Sequence, residues 1–208
     1  MSGGQLILAA TPLGNILDAS PRLKETLEQA DLIAAEDTRR AKRLFADLNL
    51  EIKAPVISLF EENEIEKIPD IIEKLKNGLK VVVISDAGTP AISDPGYRLV
   101  TKAIEENISI TVIPGPSAVL SALVLSGLPT DRFSFEGFIA RKGKERTEIL
   151  NNLNTQSRTM VIFESPRRTL QTLQDIQEIV GDDRKAAVVR EISKTYEAIH
   201  IYSIKRLT

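Results

Sequence analysis

Short apolar runs, separated by amphipathic stretches and polar turns, succeed one another along the chain from Gln5 onward. The clearest run is Val81-Val82-Val83-Ile84. Four β-branched residues in a row read as a strand buried on both faces, the pattern of a parallel sheet. It breaks at once into Ser85-Asp86-Ala87-Gly88-Thr89-Pro90, followed by Ala91-Ile92-Ser93-Asp94-Pro95-Gly96. Turn residues at the carboxyl end of a buried strand mark where open α/β sheets place their ligands. The same pattern predicts strands over 5–10, 32–35, 56–59 and 109–113. Helices are predicted between them. One begins at Ser20-Pro21, with Ser as N-cap and Pro at the first helical position. Others span 37–48, 62–77, 96–106 and 118–126. Pro69 either starts the main part of its helix or kinks it, and Gly78 stops it.

Gly127-Leu128-Pro129-Thr130-Asp131 reads as a linker, after which the alternation restarts. Strands are predicted over 133–138, 159–163, 186–190 and 197–202, and helices over 146–153 and 167–180. The last two strands suggest an antiparallel hairpin. The expected fold class is therefore α/β, with mostly parallel or mixed sheets in two domains, 1–127 and 128–208.

Composition narrows the chemistry. With 42% apolar and 27% charged residues, the 208-residue chain can build a core and is not a disordered polyelectrolyte. A net charge of −2 gives no global basic field, so a polyanionic partner must be met by local patches. The chain has no cysteine and one histidine, which removes thiolate chemistry and clustered His ligands; no metal is expected. His200 reads as structural. Tyr97, Tyr196 and Tyr202 read as core or edge packing rather than base stacking. No apolar run approaches the ~20 residues a membrane span needs. The N-terminal Met1-Ser2-Gly3-Gly4 does not read as a signal peptide, so a cytoplasmic setting is expected.

Three strand-end loops, Thr11–Asn15, Ser85–Gly96 and Pro114–Ala118, share one sheet edge if their strands are parallel. Gly and Pro there let backbone groups approach a ligand. No Gly-x-Gly-x-x-Gly follows the first strand, and no Gly-x-x-x-x-Gly-Lys-Ser/Thr occurs. A ligand of little anionic charge, held by backbone, fits better than a triphosphate. Asp86 either serves this site or caps its own turn. Three basic clusters stand out: Arg39, Arg40, Lys42 and Arg43; Arg141, Lys142, Lys144 and Arg146; and Arg167 with Arg168. Arg39 and Arg40 sit unfavourably for the dipole at a helix N-terminus, so helix stability does not explain them. Phosphate contacts would.

Several blocks then occur in order: Thr11-Pro12-Leu13-Gly14-Asn15, Ala34-Ala35-Glu36-Asp37-Thr38-Arg39, Ser85-Asp86-Ala87-Gly88-Thr89-Pro90, Asp94-Pro95-Gly96 and Pro114-Gly115-Pro116-Ser117-Ala118. Leu128-Pro129-Thr130-Asp131-Arg132-Phe133, Phe135-Glu136-Gly137-Phe138, Phe163-Glu164-Ser165-Pro166-Arg167-Arg168 and Arg190-Glu191-Ile192-Ser193-Lys194-Thr195 continue the series. Together they closely resemble the ribosomal RNA small subunit methyltransferase I family of the tetrapyrrole methylase-like superfamily. The resemblance runs from about Gln5 to His200.

That resemblance implies the tetrapyrrole methylase fold, with S-adenosylmethionine in a cleft between the two domains. It implies methylation of a cytidine ribose 2′-oxygen in the decoding centre of 16S rRNA, and a homodimer. Carried onto this sequence, the cofactor-binding positions are Pro12, Leu13, Ile84, Ser85, Asp86, Ala87, Ser117, Ala118, Phe163, Glu164, Arg190 and Glu191. For proton removal the candidates are Asp86, Glu36 or Asp37, Glu191 and Lys194; Asp86 is expected to orient, and Glu36 or Lys194 to assist. For RNA they are Arg39, Arg40, Arg43, Arg141, Lys142, Lys144, Arg167 and Arg168. Members of the family continue with a further helix and a strand containing Gly-Glu-Met/Phe-Val. A chain stopping at Leu207-Thr208 is expected to have a truncated second domain lacking an edge strand. Competing readings are a methyltransferase for a tetrapyrrole or other small molecule, and a non-catalytic ribosome-binding module.

Overall fold

The strand Gln5–Ala9 (β1) is flanked by two strands far from it in sequence, Lys80–Ile84 (β4) and Ser109–Ile113 (β5). Leu32–Ala35 (β2) and Val56–Ser58 (β3) complete a wholly parallel sheet of order β3-β2-β4-β1-β5. The computed structural model giving this arrangement describes residues 3–208. Met1 and Ser2, the start of the stretch read above as no signal peptide, lie outside the described residues.

Each central strand divides its side chains between two cores, as the period of two demands. Leu6, Leu32, Ala34, Val81 and Val83 face one side. There they meet Ile71, Ile72 and Leu75 of helix α3 (Glu64–Lys76) and Leu99 and Ala103 of α4 (Tyr97–Glu105). Ile7, Ala9, Ile33, Ala35, Val82 and Ile84 face the other. They pack on Leu23 and Leu27 of α1 (Pro21–Glu28) and on Ala41 and Phe45 of α2 (Thr38–Asp47). The Val81–Ile84 run is thus buried on both faces, and this is why it carries no polar alternation. Ser20 caps α1 through its hydroxyl, as its sequence predicts. Pro69 lies inside α3, which starts upstream at Glu64.

The connections fix where a ligand site belongs. After β2 the chain leaves through α2 on one face towards β3. After β4 it leaves through α4 on the opposite face towards β5. Neighbouring strands with diverging connections make a topological switch point, and a crevice opens at their carboxyl ends. Here that point lies between β2 and β4.

The chain divides into two units, one ending at Ser117 and the other running from Ala118 to Thr208. The division falls ahead of the 127/128 boundary expected from the linker-like Gly127–Asp131. The physical reason is helix α5 (Ala118–Leu125), whose Val119 and Leu123 pack with Phe135, Val161 and Phe163 of the second unit. Within that unit β6 (Phe133–Phe138) pairs in parallel with β7 (Thr159–Phe163). A register shift between Phe135 and Phe138 contains Gly137, whose φ is 64°. The predicted hairpin is present: β8 (Lys185–Arg190) and β9 (Ala198–Ser203) pair antiparallel. Helices α6 (Lys144–Thr155) and α7 (Thr169–Val180) share an apolar seam including Leu150, Leu153 and Ile176. A last turn of helix, α8 (Ile204–Leu207), was not anticipated. Its Arg206 guanidinium lies 4.1 Å from the ring centre of Tyr202. No helix among the described residues is long and apolar enough to cross a membrane.

Candidate functional site

The three strand-end loops are stitched together at the carboxyl edge of the parallel sheet. Thr11 N–H donates to Gly88 O at 2.8 Å, and Gly88 N–H returns a bond to Thr11 O at 3.0 Å. The Thr11 hydroxyl donates to Ser85 O at 3.3 Å. Thr89 Oγ1 donates to Pro116 O at 3.1 Å. Glycine is required at position 88: φ is +84°, and a Cβ there would come within 3.1 Å of Leu13. Pro12, Leu13, Ile84, Ser85, Asp86, Ala87 and Ser117 are therefore gathered at this edge. Ala118 opens α5 and belongs to the other unit.

At the β2/β4 switch point two carboxylates clamp each other's loops. Glu36 Oε2 accepts from Asp86 N–H at 3.1 Å, and Asp86 Oδ1 accepts from Asp37 N–H at 3.2 Å. Asp86 thus ties two strand ends together instead of capping its own turn. Its second oxygen, Oδ2, lies 3.1 Å from the Arg40 guanidinium. Asp37 is the N-cap of α2, accepting from Arg39 N–H at 2.8 Å and from the Arg39 guanidinium at 2.7 Å. The Arg39 hydrogen bonds hold the Asp37 carboxyl well below the usual carboxylate range. Arg39 therefore pairs with the N-cap carboxylate of its own helix, and Arg40 with a carboxylate that follows β4. Arg43 lies 3.8 Å from Asp47.

A further carboxylate, Asp94, was not chosen from the sequence as a site residue. Burial first, then repulsion from Glu36 and Asp86, pushes its carboxyl up to about 6, against a hydrogen bond from the Ser85 hydroxyl. Ala91 and Ser93, just before it, hold left-handed φ angles of 69° and 59°. The loop's far end is fixed by Glu64 at the start of α3. Its carboxylate is 3% exposed and accepts from Gly96 N–H at 3.1 Å and Leu99 N–H at 3.0 Å. It thereby satisfies donors at the N-terminus of α4 that Gly96, with no side chain, leaves open. No sequence signal distinguishes Glu64 from any other first-turn glutamate.

In the second unit, Glu164 and Arg168 serve the backbone and each other. Glu164 accepts from Thr172 Oγ1 and Ser165 N–H, both at 2.8 Å, and lies 3.3 Å from Arg168. Arg168 donates to Ile139 O at 2.9 Å. Phe163 packs edge-on against Phe135 and Phe138. After β8, Lys194 lies 3.4 Å from Glu191, whose φ is 53°. Arg190 and Glu191 are exposed at that strand end. Among the basic candidates, Arg146 is committed to Asp175 and Ala140 O. Lys144 pairs with Glu148 on the surface, and Arg141, Lys142 and Arg167 are exposed. Tyr97 and Tyr196, expected in core or edge packing, are 71% and 78% exposed, and His200 is exposed on β9. Among the described residues, no group of His, Asp and Glu is arranged to hold a metal ion.

Residues 5–208 match the family of Tetrapyrrole (Corrin/Porphyrin) Methylases. The chain belongs to this family. Ribosomal RNA small subunit methyltransferase I of Mycobacterium bovis is 50% identical over 199 residues, 96% of this chain and 70% of that protein. The protein of that name from Haemophilus influenzae is 45% identical over 98% of this chain and 71% of its own length. The one from Thermotoga maritima is 46% identical over 93% and 86% respectively. Two solved structures share the fold. A cobalt precorrin-4 methyltransferase superposes with a TM-score of 0.71 at 20% identity, over 98% of this chain and 87% of its own. A diphthine synthase does so at 0.74 and 14%, over 98% and 83%.

Methylases of this family take their methyl group from S-adenosylmethionine. The sheet edge fits that cofactor on its own evidence. Among the described residues, the carboxylates gathered here, Glu36, Asp37, Asp86 and Asp94, outnumber the cations Arg39 and Arg40. Such an edge suits a ligand carrying sulfonium and ammonium charges.

Proposed function

We propose that this chain methylates the ribose 2′-oxygen of cytidine-1402 in 16S rRNA of the small ribosomal subunit. The observation that carries the reading is 50% identity, over 96% of the chain, to proteins named for methylation of small-subunit ribosomal RNA. Bound S-adenosylmethionine supplies an electrophilic methyl group on sulfur. The chain's own residues do the rest. Pro12, Leu13, Ile84, Ser85, Asp86, Ala87 and Ser117 hold the cofactor against the sheet edge. Ala118, Phe163, Glu164, Arg190 and Glu191 are the second unit's positions that match the family's cofactor-binding pattern. Asp86, locked by Asp37 N–H and Arg40, orients; Glu36 and Lys194 are the assisting groups named by sequence. Alignment of acceptor and donor accounts for much of the acceleration.

The exposed Arg141, Lys142, Lys144, Arg167 and Arg43 contact phosphates. Arg39 and Arg40, with side chains 88% and 68% exposed, add their outward edges. Arg168, turned into its own unit, contributes to the loop's shape rather than to RNA. The chain works as a homodimer in the cytoplasm. The small-molecule reading draws support from the family's description and from the cobalt precorrin-4 methyltransferase, whose likeness at 20% identity concerns the fold alone. An acceptor competition decides between them. Small subunits lacking the modification should accept labelled methyl, and a tetrapyrrole mixture should not. The reverse preference would overturn the proposal.

A further inference from the structure

The face of the parallel sheet that α1 covers holds a cavity of about 180 Å³. Its polar lining is Gln5 of β1, Lys80 of β4, Thr111 of β5, and Arg22, Thr26 and Gln29 of α1. The period of two puts Gln5, Lys80 and Thr111 on the same face as Ile7, Val82 and Ile113, which pack towards α1. Arg22, Thr26 and Gln29 meet them from helical spacings of four and three. The charge here is one-sided. Two lining side chains are cations and none is a carboxylate. Among the described residues, neither the Arg22 nor the Lys80 side chain forms an ion pair. Glu25 accepts from the Gln29 amide at 3.1 Å and Asp31 from the Lys80 backbone N–H at 2.7 Å, but neither lines the cavity.

Arg22 stands in the first turn of α1, where the helix dipole disfavours a cation, so helix stability does not account for it. Its guanidinium donates to Val112 O of the edge strand β5 at 3.2 Å, which fixes it beside the cavity with further N–H donors unspent. The hydroxyls of Thr26 and Thr111 have no hydrogen-bond partner among the described residues. Gln5 gives one amide N–H to Ser109 Oγ at 3.4 Å and keeps the other. Cations, free hydroxyls and amide N–H groups that converge without a carboxylate are the donor set of a phosphate group. The volume is the room of about six waters, enough for phosphorus with its oxygens and too little for a whole nucleotide. We propose that this cavity binds a phosphate group, with Arg22 and Lys80 supplying charge and Thr26 and Thr111 supplying directed hydrogen bonds. Neither cation belongs to the basic clusters read from the sequence. As a contact to the backbone of an RNA acceptor the site rests on the methyl-transfer reading; as a site for free phosphate it does not.

The first arm of the test titrates the nitrogen-15-labelled chain with inorganic phosphate at constant ionic strength and follows the backbone amide signals of Thr26, Lys80 and Thr111. Their shifts should saturate, and chloride at equal ionic strength should leave them in place. R22A and K80A should each weaken phosphate binding about 10-fold. T26V/T111V keeps both charges and the side-chain shapes and removes the hydroxyls, and it should also weaken binding about 10-fold. The second arm measures binding of small-subunit RNA against salt. In R22A/K80A the log–log slope should fall by about 1–2 if RNA supplies the phosphate, and stay as in wild type if the ligand is a free phosphate. Shifts that do not saturate, that chloride reproduces, or that persist in R22A/K80A overturn the proposal. So does full phosphate affinity in T26V/T111V, because exposed charge alone would then suffice. If R22A/K80A does not fold, T26V/T111V decides. A chain that binds phosphate but transfers no methyl group sinks the methyl-transfer reading alone. One that transfers methyl but binds no phosphate sinks only this proposal.

Discussion

Neutralising Asp94 should make the protein more stable above pH 6 and no more stable at pH 4. The carboxyl is pushed from 3.8 up to about 6 by burial and by its neighbours Glu36 and Asp86. The folded state therefore binds the proton more tightly than the unfolded chain does. Stability contributed at this position is highest below pH 4, falls as pH rises through the 4–6 interval, and is fully lost above it. At about 1.4 kcal/mol per unit the shift corresponds to about 3 kcal/mol. Asp94 is only partly buried, and solvent screening reduces this to about 1–2 kcal/mol. D94N keeps an oxygen to accept the Ser85 hydroxyl and removes the charge. Urea unfolding at pH 8 should give D94N an advantage of about 1–2 kcal/mol that disappears at pH 4. A loss of stability at pH 8, or an equal gain at both pH values, would show that Asp94 is not held against its own ionisation.

Other consequences can be measured directly. Glu64→Ala strands the buried N–H groups of Gly96 and Leu99 and should cost about 2–4 kcal/mol in urea unfolding; a cost under about 0.5 kcal/mol would mean water replaces the carboxylate. Gly88→Ala meets a left-handed φ and Leu13 at 3.1 Å, so a loss of about 1–2 kcal/mol and weaker S-adenosylmethionine binding in calorimetry are expected; unchanged binding would remove this loop from the cofactor site. Binding of small-subunit RNA should weaken steeply between low and physiological salt. Replacing Arg141, Lys142 and Arg167 together should flatten the log–log slope by about 2–3, whereas an unchanged slope would place the RNA elsewhere.

Much of the fold was legible because burial on both faces leaves a plain mark. Val81–Ile84 has no room for polar alternation, and the short apolar run Leu32–Ala35 reads the same way for the same reason. Strand order was not legible. Nothing local says that β4 inserts between β2 and β1, yet this insertion brings Glu36 beside Asp86, fifty residues away. The carboxylate partners of the basic cluster were only half legible for the same cause. The partner of Arg39 lies two residues upstream and could have been found as an N-cap, but the partner of Arg40 arrives on another strand. The upward shift of Asp94 was not legible, because it comes from burial and from two carboxylates at other strand ends, not from its neighbours in sequence. The linker-like Gly127–Asp131 drew attention away from α5, whose apolar face is spent on β7 and the strand beside it.

Methyl transfer from S-adenosylmethionine to small-subunit ribosomal RNA is the activity on which the proposed function stands. Its most direct test is labelled transfer to subunits lacking the modification, with the product digested and mapped to base or ribose. Label on the 2′-oxygen of a single cytidine is the predicted result. Label on a base, on several unrelated nucleotides, or only on a small-molecule acceptor would contradict it.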